Sequence, residues 1–293
     1  MSMLTMIPQQ KLSDALPPVA RELGEQVKKG EVVVPLLPKV ANRVISLTQT
    51  EDSNAAELAS LIQSDQTLAG HVVRVANSAA YSPVSSIVSL QQAITRLGMA
   101  TIAEIALAAT VNASLFNAPG FEALIQQRLR HSLASGLWAK EVARACRRNV
   151  EAAFLGGLLQ DIGRPVTIQA ASEIAAKLGS FIPPEGMALL EKTFCRRMSI
   201  TVVNKWEMPD SVQQVVKYFD DYQPPHSAKN QTVVAVGGVA IANYFQDNQS
   251  GSANLDTLVA HPIFGELNLY RDEIEQVVAR ADKVNATLEA MQL

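Results

Sequence analysis

The feature that most constrains the fold is a unit met again and again along the chain: a capping residue, apolar residues at helical spacing, then a turn signal. Asn54-Ala55-Ala56-Glu57 puts an N-cap side chain and a return carboxylate ahead of Leu58, Leu61 and Ile62. Asp65 stands likewise before Leu68, Val72, Val75 and Ala76. Ser89 opens a third unit with Leu90, Ile94 and Leu97, and Gly98 sits where a left-handed cap ends a helix. Thr101-Ile102-Ala103-Glu104 reads as a capping box before a run of small apolar residues. Asn117-Ala118-Pro119-Gly120 is a strong turn signal. Beyond it a long helical pattern runs from about Glu122 to Cys146, with Leu129, Leu133, Leu137 and Val142 on one stripe. Helical patterns follow at about 151–160, 165–179, 185–204, 209–221, 230–246 and 270–291, with Pro209 suited to a first helical position. The segment "EVVVPLLP" can form no more than a short extended entry, because its prolines limit ladder pairing. The expectation is an all-α chain of two helical lobes meeting near residue 117: an extension over 1–34, a first lobe over 35–116 and a second over 117–293.

Composition excludes several classes of function. With 48% hydrophobic and 18% charged residues, the chain can bury a core and is not a disordered tail. A net charge of −3 argues against a dedicated nucleic-acid binder, which carries a basic excess. The clusters Arg144, Arg147, Arg148 and Lys192, Arg196, Arg197 read as solvated helix faces. Cys146 and Cys195 lack metal or redox spacing, so a reducing cytoplasm is the expected setting. "MSMLTMIPQQKLSD" lacks the basic start and apolar core of a secretory signal. No run reaches the roughly 18 apolar residues of a membrane span; the best, Ile102 to Val111, is short and carries Glu104.

The order and spacing of Leu37-Pro38, Ile62, Asp65, Leu68, Asn77-Ser78, Tyr81, Ser89, Ala93-Ile94 and Leu97-Gly98 resemble the opening half of HDOD domains. These are bacterial signalling relatives of the HD metal-dependent phosphohydrolases. "RLRHSLASGLWAKEVARAC", "AAFLGGLLQDIGR" and "KWEMPDSVQQVVKYFDDYQ" continue the resemblance, which spans about 35–225. HD phosphohydrolases hold metal with a histidine, an adjacent His-Asp pair and a later aspartate, because neutral imidazoles and carboxylates suit a divalent ion that activates water. The resemblance places His131 at the first histidine and Asp161 in the pair, with Gln160 in place of the paired histidine. The last aspartate falls near Gly237-Gly238, and neither glycine can coordinate through a side chain. The paired histidines that many HDOD members carry after a W-x-x-P segment are replaced by Tyr218-Phe219-Asp220-Asp221, with His226 out of register.

The resemblance therefore implies a vestigial site at His131, Gln160 and Asp161, with no catalytic residue, no cofactor and no metal expected. If an ion did bind, His131 and Asp161 would be its remaining ligands. His131 is expected to hydrogen-bond Asp161 across two helices, and Gly156-Gly157 to allow close helix packing. His71 reads as structural, His226 and His261 as loop residues next to prolines, Trp138 and Trp206 as core anchors, and Asn77 as serving a helix end or turn. The implied function is a non-catalytic HDOD signalling module. It would act through protein contacts in trans or as a homo-oligomer, with cyclases, phosphodiesterases or response regulators as partner types, and with no nucleic-acid or membrane role. Two alternatives stand beside it. One is an HD-type metal-dependent phosphohydrolase using His131 and Asp161, for which Asp220, Asp221 and His226 are the only nearby spare ligands. The other is a nucleotide-binding sensor in which Arg128, Arg130 and Arg164 hold phosphate.

Overall fold

The computed structural model describes residues 17–48, 54–81, 86–249, 251 and 254–292; the stretch read for a secretory signal lies outside them. Among the described residues the regular structure is helical throughout, with no strand. Helices α1 (Pro17–Lys29), α2 (Lys39–Thr48), α3 (Ala55–Gln63), α4 (Gln66–Ala76), α5 (Leu90–Leu97) and α6 (Met99–Thr110) precede the turn at Pro119-Gly120. After it come α7 (Glu122–Ala145), α8 (Val150–Leu159), α9 (Gly163–Leu178), α10 (Pro184–Lys205), α11 (Asp210–Tyr218) and α12 (Lys229–Gln249). Four short helices close the chain: α13 (Leu255–Val259), α14 (Pro262–Glu266), α15 (Arg271–Val278) and α16 (Ala281–Met291).

Three caps form as the sequence predicts, each side-chain oxygen taking an otherwise orphan N–H. Asn54 accepts from Glu57 N at 2.8 Å, Asp65 from Leu68 N at 3.0 Å and Ser89 from Gln92 N at 3.2 Å. Asn77 ends α4 and holds residue 87 with both ends of its amide, accepting from Ile87 N and donating to Ile87 O, each at 2.8 Å.

The capping box at Thr101–Glu104 does not form. Gly98, at φ 83° and ψ 156°, ends α5 and starts α6 at once, so Thr101 lies inside the helix. Glu104 is instead drawn to the seam between the lobes, where it is buried against Lys140 of α7. The pattern over 270–291 divides at Ala279-Arg280, and Pro209 caps α11 at ψ 144° with the first helical position left to Asp210. No single described helix is long and apolar enough to cross a membrane; α5 and α6 pass that test together but bend by 119°.

Close packing around α7 sets the architecture. It lies along α8 and α12, and it does so because small residues meet at the crossings. A Cβ on Gly157 would stand 2.7 Å from Ser135 O and 2.8 Å from Gly136 Cα. One on Gly238 would stand 2.5 Å from Ala139 Cα. The Gly237-Gly238 pair is thus a packing device, with Gly237 beside Leu267. The described part of the predicted extension, residues 17–34, packs on the second lobe. Helix α1 buries Val19 and Leu23 against α9 and α10, and the following segment is fixed by Lys205 Nζ donating to Val32 O and Trp206 Nε1 to Pro35 O.

Gly238→Ala must push backbone against backbone, so it is expected to cost roughly 2–4 kcal/mol. Gly70→Ala, exposed in α4 with open space at its Cβ, is expected to gain about 0.5–1 kcal/mol from helix propensity. Urea unfolding followed by circular dichroism checks both signs.

Candidate functional site

The turn between α8 and α9 is held from below. Helix α8 stops at Leu159, leaving Gln160 and Asp161 at its end, and α9 begins at Gly163. A Cβ at Gly163 would lie 2.2 Å from Cys195 O, so only glycine lets α9 start this close to α10. Gly163 N donates to Ser199 Oγ at 2.8 Å, which fixes the contact. Above the turn lies a cavity of about 300 Å³. Arg128 and His131 of α7, Gln160 and Asp161 of the turn, Arg164 of α9 and Arg196 of α10 face it. Phe219 and Asp220 close one side, and Val239, Asn243 and Gln246 line another from one face of α12.

Both oxygens of Asp161 are engaged. Arg164 Nε donates to Oδ2 at 2.8 Å, the Cys195 thiol meets Oδ1 at 3.4 Å, and Arg196 stands 3.8 Å from Oδ1. Burial alone would raise this carboxyl, but the Arg164 and Arg196 guanidinium groups outweigh it and hold it below the ordinary carboxylate value. Burial and the Asp161 charge push the Cys195 thiol up to about 12, so it stays a donor. Arg196 is a hub: it donates to Gln160 O at 2.6 Å and grips Asp220 through two nitrogens at 2.9 and 2.8 Å. Its guanidinium also sits over the Phe219 ring, 4.8 Å from the centroid. Behind the wall, buried Glu191 accepts a two-pronged bond from Arg128 at 2.7 and 2.9 Å.

The expected His131–Asp161 hydrogen bond is absent. Asp161 is taken by cations from α9 and α10, and His131 pairs instead with Asn243 Oδ1 of α12 at 2.8 Å. That acceptor requires the proton on Nε2, and burial lowers the imidazole pKa, so the ring is neutral. Gln160 is 1% exposed; its Oε1 lies 3.4 Å from Arg196, and its Nε2 has no partner among the described residues.

Other candidates fall elsewhere. His226 stacks on Tyr218 and bonds Pro224 O and Thr232, and His261 caps α14. Arg130 bonds Gln292 near the chain's end, and Asp221 does not line the cavity. His71 lies in the first lobe, where burial and Arg74 lower its pKa to about 4. Arg196, Asn243, Phe219, Val239 and Gln246 were not singled out for the site from sequence. The spacing 239, 243, 246 on α12 is the one signal that would have raised its three residues.

An HD-type metal does not fit this arrangement. Among the described residues no group of three or more His, Cys, Asp or Glu side chains could hold an ion. The one retained carboxylate already neutralises guanidinium groups, and the retained imidazole directs an N–H into an amide.

Asp161→Asn leaves Arg164 and Arg196 beside a neutral group and is expected to cost about 3 kcal/mol at pH 7. Because the folded pKa is depressed, the full difference is present above the ordinary carboxylate pKa of about 3.9. It is lost as pH falls through the folded value. Denaturant titrations of both proteins across acidic pH check this course.

A family model for the HDOD domain matches residues 34–222. The fold is similar to that of an HDOD domain protein of unknown function from Geobacter sulfurreducens, at TM-score 0.71 and 19% identity over 96% of this chain and 99% of that one. It is also similar to a protein from Shewanella amazonensis SB2B provisionally assigned as a metal-dependent phosphohydrolase, at TM-score 0.70 and 18% identity over 95% and 100%. A third structure, provisionally assigned as a signal transduction protein, comes from Marinobacter aquaeolei VT8, at TM-score 0.64 and 18% identity over 98% and 67%. No curated protein matches the sequence. With the all-α fold, the capped first lobe and the Asp161-Ile162-Gly163 turn in place, the family match makes this chain a member of the HDOD domain family.

Proposed function

We propose that the chain is a non-catalytic HDOD regulatory module of bacterial signal transduction, working in the cytoplasm through contacts with other proteins and without a metal or other cofactor. The observation that carries this reading is the state of Asp161. A carboxylate that must hold an ion and activate water has to be free of competing cations, and here Arg164 bonds Oδ2, Arg196 stands 3.8 Å from Oδ1 and the Cys195 thiol meets the same oxygen. Gln160 in place of the paired histidine and Asn243 facing His131 remove two further ligands. The turn is nevertheless kept to the atom by Gly163 and Ser199, which makes sense if the second lobe serves as a rigid surface and not as a reaction vessel. A signalling role agrees with the Marinobacter neighbour's provisional description. Signalling proteins, or a second copy of the chain, are the partners proposed.

Protein expressed with manganese, iron and zinc and purified without chelator is expected to hold substoichiometric metal by elemental mass spectrometry. His131→Ala is expected to leave that content and the background phosphomonoester hydrolysis unchanged. One or two ions per chain, lost with His131 or Asp161, would make the phosphohydrolase reading the correct one.

A further inference from the structure

We propose that α16 is a releasable clasp: docked, it bridges the two lobes, and released, it bares a groove that takes an amphipathic helix of another protein. This deepens the regulatory reading by naming a contact surface; the partner rests on that reading, the release does not. Helix α16 lies across α4 and α6 of the first lobe and α7 of the second. Val284, Leu288 and Met291, at the spacing of one helical face, are buried there with Ala290, while Asp282, Lys283, Asn285 and Glu289 stay exposed. The far end is held from both lobes at one residue. Arg74 Nη2 of α4 donates to Gln292 O at 3.0 Å, and Arg130 of α7 donates to the Gln292 side-chain oxygen. Cations at the last carbonyls suit the negative end of a helix. The near end is tied by Arg280, 3.3 Å from the buried Glu141 of α7.

The seat is built to open. The crossings of α7 with α8 and α12 are locked backbone to backbone at Gly157 and Gly238, but α16 has no glycine to let it approach so closely. Beneath its last turn the fit is incomplete. His71 of α4 is 5% exposed and takes an Arg74 N–H on Nδ1 at 2.9 Å, so its proton sits on Nε2. That Nε2 is buried with no partner among the described residues, although the Met291 carbonyl lies near the ring. A buried donor left unpaired favours opening, because water would satisfy it. Eleven residues are too few for a helix to persist alone in water, so α16 unfolds as it leaves. Docking and folding are therefore one step, which makes the clasp two-state. The groove it vacates crosses both lobes. Its apolar strip fits side chains at i, i+4 and i+7, and Arg74 and Arg130 stand ready for the acceptors at a helix's end. The resident helix thus defines the partner: a short amphipathic helix with a polar acceptor at its C-terminal end.

Hydrogen-exchange mass spectrometry of the full chain, with and without Arg74→Ala or Arg130→Ala, tests the release. The helix is expected to exchange well ahead of α7 and α8 by local opening. Each substitution is expected to speed its exchange about tenfold, the loss of one hydrogen bond from a charged group, and to leave α8 unchanged. Both arginines are exposed, so these variants fold. Leu288→Glu, which puts a charge in the seat, is expected to detach α16 and leave the rest folded by circular dichroism. That variant is then expected to bind a fluorescent peptide of residues 279–292, measured by anisotropy, while the same peptide carrying Leu288→Glu does not bind. Protection of α16 equal to that of α8, exchange unchanged in both arginine variants, or global unfolding of Leu288→Glu would each overturn the clasp. A folded Leu288→Glu chain that ignores the peptide up to millimolar concentration would overturn the docking groove. None of these readouts involves metal, so ions found in the purified chain would overturn the regulatory reading and leave the clasp itself standing.

Discussion

The carboxylate of Asp161 is the point on which the second lobe turns. It lies at the junction of α8 and α9, and it draws Arg164, Arg196 and Cys195 onto one spot. Arg196 carries the tie onward to the end of α11 through Asp220 and Phe219. Gly163 lets α9 approach α10 closely enough for those side chains to reach. Without the carboxylate, Arg164 would keep only Glu191, 3.9 Å away, and Arg196 only the exposed Asp220 as counter-charge. That cost is larger than the net worth of the pair itself.

The same carboxylate explains why the cavity has the chemistry it has. A carboxylate buried at this turn needs cations beside it, and Arg164 and Arg196 supply them. Asp161, Asp220 and the Asn243 amide oxygen each already face a donor, and the Gln160 amide nitrogen is buried without a partner among the described residues. Charge balance inside the wall thus sets the chemistry of whatever can enter it.

Much of the fold is legible in the sequence. Asn54, Asp65 and Ser89 announce their helices because capping is local: the side chain and the N–H it satisfies are three residues apart. Gly156-Gly157 was readable as a close approach for the same reason that glycine inside a helix is costly unless something needs the space. What sequence could not give were pairings set by tertiary contact. Thr101 and Glu104 have the local pattern of a capping box, yet Lys140 on a helix of the other lobe claims the carboxylate. His131 and Asp161 face one cavity, yet His131 pairs with Asn243 far along the chain, and Asp161 bonds Arg164 three residues on with Arg196 of α10 beside it. Arg196 was read as solvated because "CRRMS" has charge without context; only the fold reveals that one arginine of the pair points inward. Gly237 and Gly238 pack against Leu267 and Ala139, while Asn243 lies more than a turn further along α12 and faces the cavity.

In the proposed reading, His131 is held by the Asn243 amide and binds no metal ion. Its imidazole can be watched directly by ¹⁵N nuclear magnetic resonance of histidine-labelled protein while manganese is added. The expected result is a neutral ring protonated on Nε2 whose signals stay sharp at equimolar manganese. Selective broadening of the His131 signals by manganese, with the other histidines untouched, would contradict the account.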